Sequence, residues 1–333
     1  MLASVDNGLI YALMVLGVYL TFRVLDFADL TVDGSFVTGA AVVATGILHG
    51  WPALAATAAA VATGAIAGVI TGLLNTAGRV NPLLAGILTQ IALYSLNLRI
   101  MGRANLSLLR QPTLLAGLRD AGWLGTWRSV AVFAALVLAA GAVLTWFLTT
   151  NLGLGLQATG NNVTMAKAQG VHTAGMVVLG LAVANGLVAA SGALMAQYQG
   201  FADASMGIGT IVVGLASVIL GQAILGARPV ARAVLAVIGG AVLYRFVIQV
   251  ALNLHIGLQP GDMKIISAVL VIAALLAPRL PVFERIAHSR RERDAALQVL
   301  SDDVVAAHAV VQDGVPGLAG DVPAALPAGK VRP

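Results

Sequence analysis

Charged residues are scarce in this chain. Asp, Glu, Lys and Arg make up 10% of its 333 residues, whereas a soluble domain carries roughly a quarter. Apolar residues make up 59%, and the mean hydropathy is +0.92. A globular core does not account for so little charge, but an exterior that faces lipid does. We therefore expect a membrane protein.

Several residue patterns that would carry chemistry are also missing. Cysteine is absent, which excludes disulfides and thiolate metal sites. The five histidines are scattered without the spacing of a metal site, so we expect no metal, cofactor or catalytic group. None of the three lysines belongs to a phosphate-binding loop, which requires Ser or Thr after Gly-Lys. The one Gly-Lys pair, Gly329-Lys330, is followed by Val331. The chain should therefore not be an enzyme, and ATP, if used, must be hydrolysed by another subunit.

Long apolar runs fill most of the chain, and a helix that spans a bilayer needs about 20 such residues. The region 34–75 is nearly continuous, so it is interpreted as two spans joined by a turn at His49-Gly50-Trp51-Pro52, with a broken or re-entrant element as the alternative. The fold class is all-α and polytopic, with about nine transmembrane helices. The predicted spans are 8–25, 34–50, 53–75, 83–100, 129–150, 174–199, 208–226, 230–252 and 264–280.

The basic residues predict the orientation, since Lys and Arg accumulate on the cytoplasmic side. Their excess places the N-terminus outside, the C-terminus in the cytoplasm and residues 151–173 in the cytoplasm. The first, cytoplasmic group is Arg79, Lys167, Arg228, Arg232, Arg279, Arg285, Arg290, Arg291 and Arg293. The second group is Arg103, Arg110, Arg119, Arg128 and Lys264. The net charge of +5 comes without interleaved aromatic residues, so no nucleic-acid partner is predicted.

A short internal repeat indicates two related halves. Phe27-Ala28-Asp29-Leu30-Thr31 is echoed by Phe201-Ala202-Asp203-Ala204-Ser205. Each copy follows one predicted span and precedes three, so 8–100 and 174–280 form two four-helix units. An odd number of spans separates the units, which makes them inverted repeats, a common plan of transporters.

The predicted domain arrangement is a transmembrane domain over 1–282 and a C-terminal region over 283–333. Residues 283–300 are charged and predict a cytoplasmic surface helix. Residues 301–333 show no sustained periodicity and predict a disordered tail. Inside the membrane domain, Gly64, Gly68 and Gly72 recur every fourth residue, which favours close helix packing within one subunit over a contact between subunits.

A polar interval separates the spans 129–150 and 174–199, and it predicts a short helix with both ends marked. Asn162 can cap the first backbone N–H groups, and Gly170 can adopt the left-handed conformation that ends a helix. Met165 and Ala166 should form a small apolar knob on one face. Two turns of helix are too short to be stable alone, so the bundle or a partner must hold them.

This interval resembles the coupling loop of ABC importer permeases of the branched-chain amino-acid type, through the pattern Gly-x-Asn-x-x-x-Ala-x-x-x-Gly-Val. GLIYALMVLGVYLTF, LDFADLTVDGSF and NPLLAGILTQIALYSLNLRIMGR are similar to the same family, most closely to an uncharacterised amino-acid-importer subgroup. Where the family usually has Arg, this chain has Gln157, so an ionic contact from that position is not expected. The resemblance implies a type II importer-like fold.

The same resemblance implies the partners and the substrate class. They are a cytoplasmic ABC ATPase, a second permease subunit (a homodimer), an extracytoplasmic substrate-binding protein and the bilayer of a bacterial inner membrane. The solute would be a small polar molecule, an amino acid. The residues expected to couple to the ATPase are Gly160, Asn162, Met165, Ala166, Lys167 and Gly170.

Polar residues inside spans are costly and often functional. Those expected along the solute pathway are Asp29, Asp33, Asn97, Asn185, Gln197 and Gln222. Arg245 is the one charge well inside a predicted span, and it could pair with a carboxylate or extend to the membrane boundary. The alternative function is a stand-alone secondary transporter built on inverted repeats. The shortage of Asp and Glu in the spans counts against proton coupling but leaves sodium coupling open.

Overall fold

The computed structural model describes residues 2–226, 229–253 and 272. Within them the chain forms helices and one small ribbon of two antiparallel strands, with Leu106 opposite Ala202. The helices are α1 Leu2–Tyr19, which a π-helical turn extends over Leu20–Val24, α2 Thr31–Leu48, α3 Ala53–Thr76, α4 Pro82–Met101, α5 Ala116–Asp120, α6 Trp127–Thr149, α7 Asn151–Asn161, α8 Val163–Ala168, α9 Thr173–Gln199, α10 Thr210–Leu225 and α11 Val230–Asn253. The strands are β1 Asn105–Ser107 and β2 Phe201–Asp203.

In the described part of the chain, seven helices are long and apolar enough to cross a membrane: α1 with its extension, α2, α3, α4, α6, α9 and α11. The all-α, polytopic fold class is therefore confirmed. The span expected at 208–226 corresponds to α10, an apolar helix of 16 residues. The span expected at 264–280 and the C-terminal region 283–333 lie outside the described residues, so the count of nine stays a prediction.

The spanning helices divide into central and peripheral ones. In the most apolar stretch of α1, 83% of the residues are buried, against 22% in α6. The peripheral helices α3, α4 and α6 carry large exposed apolar side chains, such as Ile66, Ile91 and Val143. These side chains match the surface that a bilayer requires. The core of the protein is therefore α1, α2 and α9.

Small residues let the central helices approach closely. A Cβ atom at Gly39 would lie 2.0 Å from the carbonyl oxygen of Ala189. Gly64, Gly68 and Gly72 of α3 likewise face the α9 backbone. The prediction that these glycines pack within one subunit is confirmed, because any larger side chain would separate α3 from α9.

Two opposite faces of the bundle can be identified from the helix ends. The ribbon face contains β1, β2 and the loop that follows β1, where Gly125 N donates to Asp6 Oδ2 at the start of α1 over 3.1 Å. The α8 face contains α7 and α8, and Gly160 packs there against the carbonyl oxygen of Val24. Helix α1 therefore runs from the ribbon face to the α8 face, and α9 runs back alongside it.

The predicted turn at His49–Pro52 is confirmed, since α2 and α3 are two helices joined through Trp51 and Pro52. The chain is broken near α2, but outside the region 34–75. The break lies earlier, at residues 25–30, between α1 and α2. This segment turns back into the bundle and brings Asp29 to Asn185, the thirteenth of the 27 residues of α9. Helix α2 thus begins halfway along α9, deep in the bundle.

Candidate functional site

Helix α8 has the two ends that its sequence predicts. The Asn162 side chain accepts a hydrogen bond from Met165 N over 3.0 Å, which satisfies one of the free N–H groups of the first turn. Gly170 has φ of 81°, the left-handed conformation that ends helices. Val171 N donates to Ala166 O over 3.0 Å and closes the last turn. The helix is therefore held at both ends before any partner contacts it.

The prediction that Ala166 shares an exposed knob with Met165 is wrong. Ala166 is 4% exposed, whereas Met165 is 62% exposed. Helix α8 contacts α7 and α9, so its small alanine faces its own chain and its larger apolar residues face outward. The exposed apolar surface of α8 consists of Val163 and Met165, with Lys167 also exposed.

Helix α7 was not predicted, because three glycines in 11 residues lower the helix propensity of this stretch. Thr150 caps its first turn by accepting from Gly153 N over 3.3 Å, and this cap is the signal that sequence reasoning missed. Gln157, at the position where the resemblance implied an Arg, donates to Leu148 O over 2.8 Å. Its side chain thus stabilises the corner between α6 and α7.

A second group of predicted residues meets at the first break in the chain. Asp29 Oδ1 accepts from Thr31 N over 2.9 Å, and Asp29 Oδ2 accepts from Asn185 Nδ2 over 2.8 Å. Asn185 Oδ1 accepts from Ser35 over 2.7 Å, and Thr31 bonds Thr71 over 2.8 Å. Asp29 and Asn185 are both fully buried and fully hydrogen-bonded. Their role is to hold the start of α2 against α9 and α3.

The second copy of the repeat forms a similar turn between α9 and α10. Asp203 Oδ1 accepts from Ser205 N over 2.8 Å, and Asn105 donates to Asp203 Oδ2 over 3.2 Å. Partial burial raises the pKa of Asp203, but the hydrogen bonds from Ser205 and Asn105 outweigh it and hold this pKa below its usual value. In both copies the aspartate of Phe-Ala-Asp therefore accepts the N–H of the residue two positions later.

Asp33 connects the break at residues 25–30 with the turn between α9 and α10. Its Oδ1 accepts from Ile211 N over 2.8 Å and from the Thr210 hydroxyl over 2.9 Å, and its Oδ2 accepts from Gly209 N over 2.9 Å. A carboxylate at a helix N-terminus satisfies free N–H groups and interacts favourably with the helix dipole. Asp33 itself lies in the first turn of α2. The same carboxylate therefore caps α10 through hydrogen bonds and interacts favourably with the dipole of α2.

A small cavity of about 40 Å³ lies beside Asp33. Its polar lining is Asp33 from α2 and Gln90, Tyr94 and Asn97 from α4, and residues 204–208 close it on one side. Asn97 is fully buried, and its Nδ2 donates to Gly34 O over 3.4 Å. Of the six residues expected along the solute pathway, this cavity brings together Asp33 and Asn97. Gln90 and Tyr94, absent from that set, join them because they share one face of α4.

The last two expected pathway residues, Gln197 and Gln222, lie neither at the cavity nor beside Asp29 and Asn185. Gln197 is near the ribbon face, where it accepts from Leu114 N over 2.9 Å and donates to Thr57 over 3.1 Å. Its contacts fasten the loop after β1 to α9 and α3. Gln222 lies on α10, with a buried Nε2 that has no partner among the described residues.

Arg245 belongs to neither group. Its guanidinium carbon lies 3.6 Å from the centre of the Tyr11 ring, a cation–π geometry. The sequence left two outcomes open for Arg245, a carboxylate partner or extension to the membrane boundary. The structure shows neither, and instead places the charge against an aromatic face between α1 and α11.

Comparisons with known proteins agree with this architecture. The family described as branched-chain amino acid transport system / permease component matches residues 1–275. A tyrosine transport system permease protein of Clostridioides difficile (strain R20291) is 37% identical over 281 residues, 84% of this chain and 92% of that protein. An uncharacterised protein of Rickettsia prowazekii (strain Madrid E) is 35% identical over 279 residues, 83% of this chain and 96% of that protein.

No solved structure matches this chain. The family match nevertheless covers all of the described residues, and both relatives align over most of their length. The chain is thus a multi-pass membrane protein and belongs to the family of permease components of branched-chain amino acid transport systems.

Proposed function

We propose that this permease is the membrane subunit of an ATP-driven importer for an amino acid, and that α8 is its contact with a cytoplasmic ATPase. Helix α8 carries the proposal. It has only six residues, yet it is capped at both ends and leaves Val163 and Met165 exposed beside Lys167. Exposed apolar side chains on a rigid element outside the spans are typical of a surface that a partner covers.

The proposed orientation places the α8 face in the cytoplasm and the ribbon face outside. Arg79, Lys167 and Arg232 lie at the ends of elements on the α8 face, and Arg103, Arg110, Arg119 and Arg128 lie on the ribbon face. The predicted cytoplasmic excess therefore depends on the basic cluster from Arg279 to Arg293, which lies outside the described residues. The N-terminus would then be outside. The protein would lie in the inner membrane of a bacterium, with a substrate-binding protein delivering the solute at the ribbon face.

The chain has no cysteine, so single-cysteine labelling tests this orientation directly. Leu109, on the ribbon face, is 70% exposed, and Leu109→Cys should react with an impermeant maleimide added to intact cells. Thr164→Cys on α8 should react only after the cells are permeabilised. The opposite pattern would place α8 outside and remove its role in coupling.

The proposed substrate is an amino acid, and tyrosine is the first to test because the Clostridioides difficile relative is named as a tyrosine permease. The proposed assembly contains two copies of this chain, two ATPase subunits and one binding protein. In it, ATP binding would draw the two α8 helices together and switch the pathway between its outward and inward openings.

The coupling role is tested by placing a charge on the exposed face of α8. Met165→Asp should leave insertion and abundance unchanged, because the side chain is exposed and outside the spans. It should reduce both co-purifying ATPase and amino-acid uptake by a factor on the order of ten or more, since an unpaired charge in an apolar contact is costly. Thr164→Asp is the matched control, with the same charge on the neighbouring exposed residue.

Normal uptake by the Met165→Asp variant would contradict the coupling role of α8. A secondary transporter driven by an ion gradient would then be the better explanation. In that case, uptake should also persist in cells that lack the ATPase.

A further inference from the structure

The cavity beside Asp33 contains an acceptor that the protein does not use. Asn97 is 0% exposed, and its Oδ1 is buried with no hydrogen-bond partner among the described residues. The amide is oriented this way because its Nδ2 donates to the carbonyl oxygen of Gly34. A buried, unpaired carbonyl oxygen destabilises a fold, so a residue that lines a cavity in this state offers an acceptor to a donor that enters the cavity, either a water molecule or a group of a ligand.

The charge of the cavity lining determines whether a cationic or an anionic group of a solute can bind there. Helix N-terminal ends at mid-membrane commonly face anionic groups of a solute. Here Asp33, a residue of the protein itself, already occupies that position for α10 and lies in the first turn of α2. Among the residues that the structure describes, the lining contains no Lys or Arg. A solute carboxylate would therefore be repelled from the cavity, whereas a cation would be attracted.

The remaining polar groups suit an ammonium group in particular. An ammonium has three donors and no acceptor, and Asp33 and Asn97 Oδ1 present acceptors. Gln90 adds an amide oxygen, and the half-exposed ring of Tyr94 offers an aromatic face for a cation. The cavity also lies where α2 and α10 begin, and the half-exposed Tyr94 of the peripheral helix α4 leaves it open at the side of the bundle, so a solute can reach it.

We propose that the cavity lined by Asp33, Gln90, Tyr94 and Asn97 is a subsite that binds the ammonium group of the solute during its passage. This rests on the proposed function, in which the solute is an amino acid. The subsite would explain why Asn97 keeps an unpaired oxygen. It would also select solutes with a free amino group over their deaminated analogues, independently of the binding protein.

The test uses the purified full-length permease in detergent and two probes that differ in one group. Tyramine carries the ammonium without a carboxylate, and 3-(4-hydroxyphenyl)propanoate carries the carboxylate without an ammonium. Tyramine should raise the thermal unfolding temperature in a concentration-dependent way, and the propanoate should not. Uptake of tyrosine by cells that express the complete transport system is measured in parallel.

Three variants assign the effect to the cavity. Asn97→Leu should weaken tyramine binding by a factor on the order of ten, because a hydrogen bond to a charged donor is lost, and should not lower the unfolding temperature without ligand. Asn97→Asp should bind tyramine more tightly. Asn7→Leu is the matched control, since Asn7 Oδ1 is also buried and unpaired but lies near the ribbon face, and tyramine binding should be unchanged.

The outcomes separate this proposal from the proposed function. If tyramine gives no shift, the subsite is overturned, whatever the uptake shows. A normal shift without tyrosine uptake would contradict tyrosine import but support the subsite. A shift produced by sodium chloride and not by choline chloride or tyramine would make the cavity an ion site and overturn the ammonium assignment. If Asn97→Leu fails to fold, Asn97→Asp decides, and unchanged tyramine affinity in it would overturn the subsite.

Discussion

The breaks at residues 25–30 and 200–209 form the same local turn in different surroundings. In both, an aspartate accepts the N–H of the residue two positions later, Thr31 N for Asp29 and Ser205 N for Asp203. Asp29 is fully buried at mid-bundle and bonds to α9. Asp203 is half-buried beside the ribbon and bonds to Asn105.

This difference separates what a motif specifies from what its surroundings add. The Phe-Ala-Asp sequence sets the turn, because an aspartate side chain readily bonds the backbone two residues on. Burial sets the free-energy cost of losing the aspartate, because a buried donor that loses its acceptor cannot form a replacement hydrogen bond with water. We therefore expect equivalent substitutions at the two breaks to have unequal effects.

The largest effect is expected at Asp29. Asp29→Ala leaves Thr31 N and Asn185 Nδ2 without acceptors in a fully buried site, at a cost of about 3 kcal/mol or more. A membrane protein of ordinary stability should lose most of its folded form, measured as the monodisperse fraction in detergent after expression.

Two further variants sharpen this expectation. Asp29→Asn keeps an acceptor for Thr31 N but places a second NH₂ group near Asn185, so its loss should be intermediate. Asp29→Ala combined with Asn185→Leu should cost less than the sum of the two single changes, because they share a hydrogen bond. Additive effects would show that the Asp29–Asn185 contact contributes little.

Asp33 should give a smaller loss than Asp29. Asp33→Leu removes the acceptor of Gly209 N and Ile211 N at the start of α10, and cap removal costs about 2 kcal/mol at most. The adjoining cavity can admit water to the free N–H groups, which limits the loss. The measurement is thermal unfolding of the purified variant, and a loss equal to that of Asp29→Ala would show that the cavity stays dry.

The spanning helices could be predicted from the sequence because they depend on local hydropathy. The runs 53–75 and 174–199 correspond to α3 and α9 within one residue at each end. Short elements were not predictable in this way. The strands β1 and β2 have three residues each and form only because distant loops meet, while α7 was obscured by its glycines.

The candidate sites show the same division. The caps Asn162 and Gly170 were predicted because each acts on residues a few positions away. The burial of Ala166 was not, since it depends on how α8 lies on α7 and α9. Asp33 was expected to be polar and functional, but its partners are 176 to 178 residues away. The repeat indicates that the two breaks are related, although the inverted four-helix units remain a prediction.

The smallest effect is expected at Asp203. Asp203→Ala removes the acceptor of Ser205 N where water can replace it, so the loss should stay below about 1 kcal/mol. Since the pKa of Asp203 in the folded protein is below its usual value of 3.8, its charged form stabilises the fold above that pH. That contribution is lost as the pH falls below 3.8 towards the folded value. The difference in unfolding temperature between wild type and Asp203→Ala should therefore be constant at neutral pH and shrink in strong acid. A difference as large as that of Asp29→Ala would show that the ribbon excludes water as completely as the centre of the bundle does, and the contrast between the two breaks would then be lost.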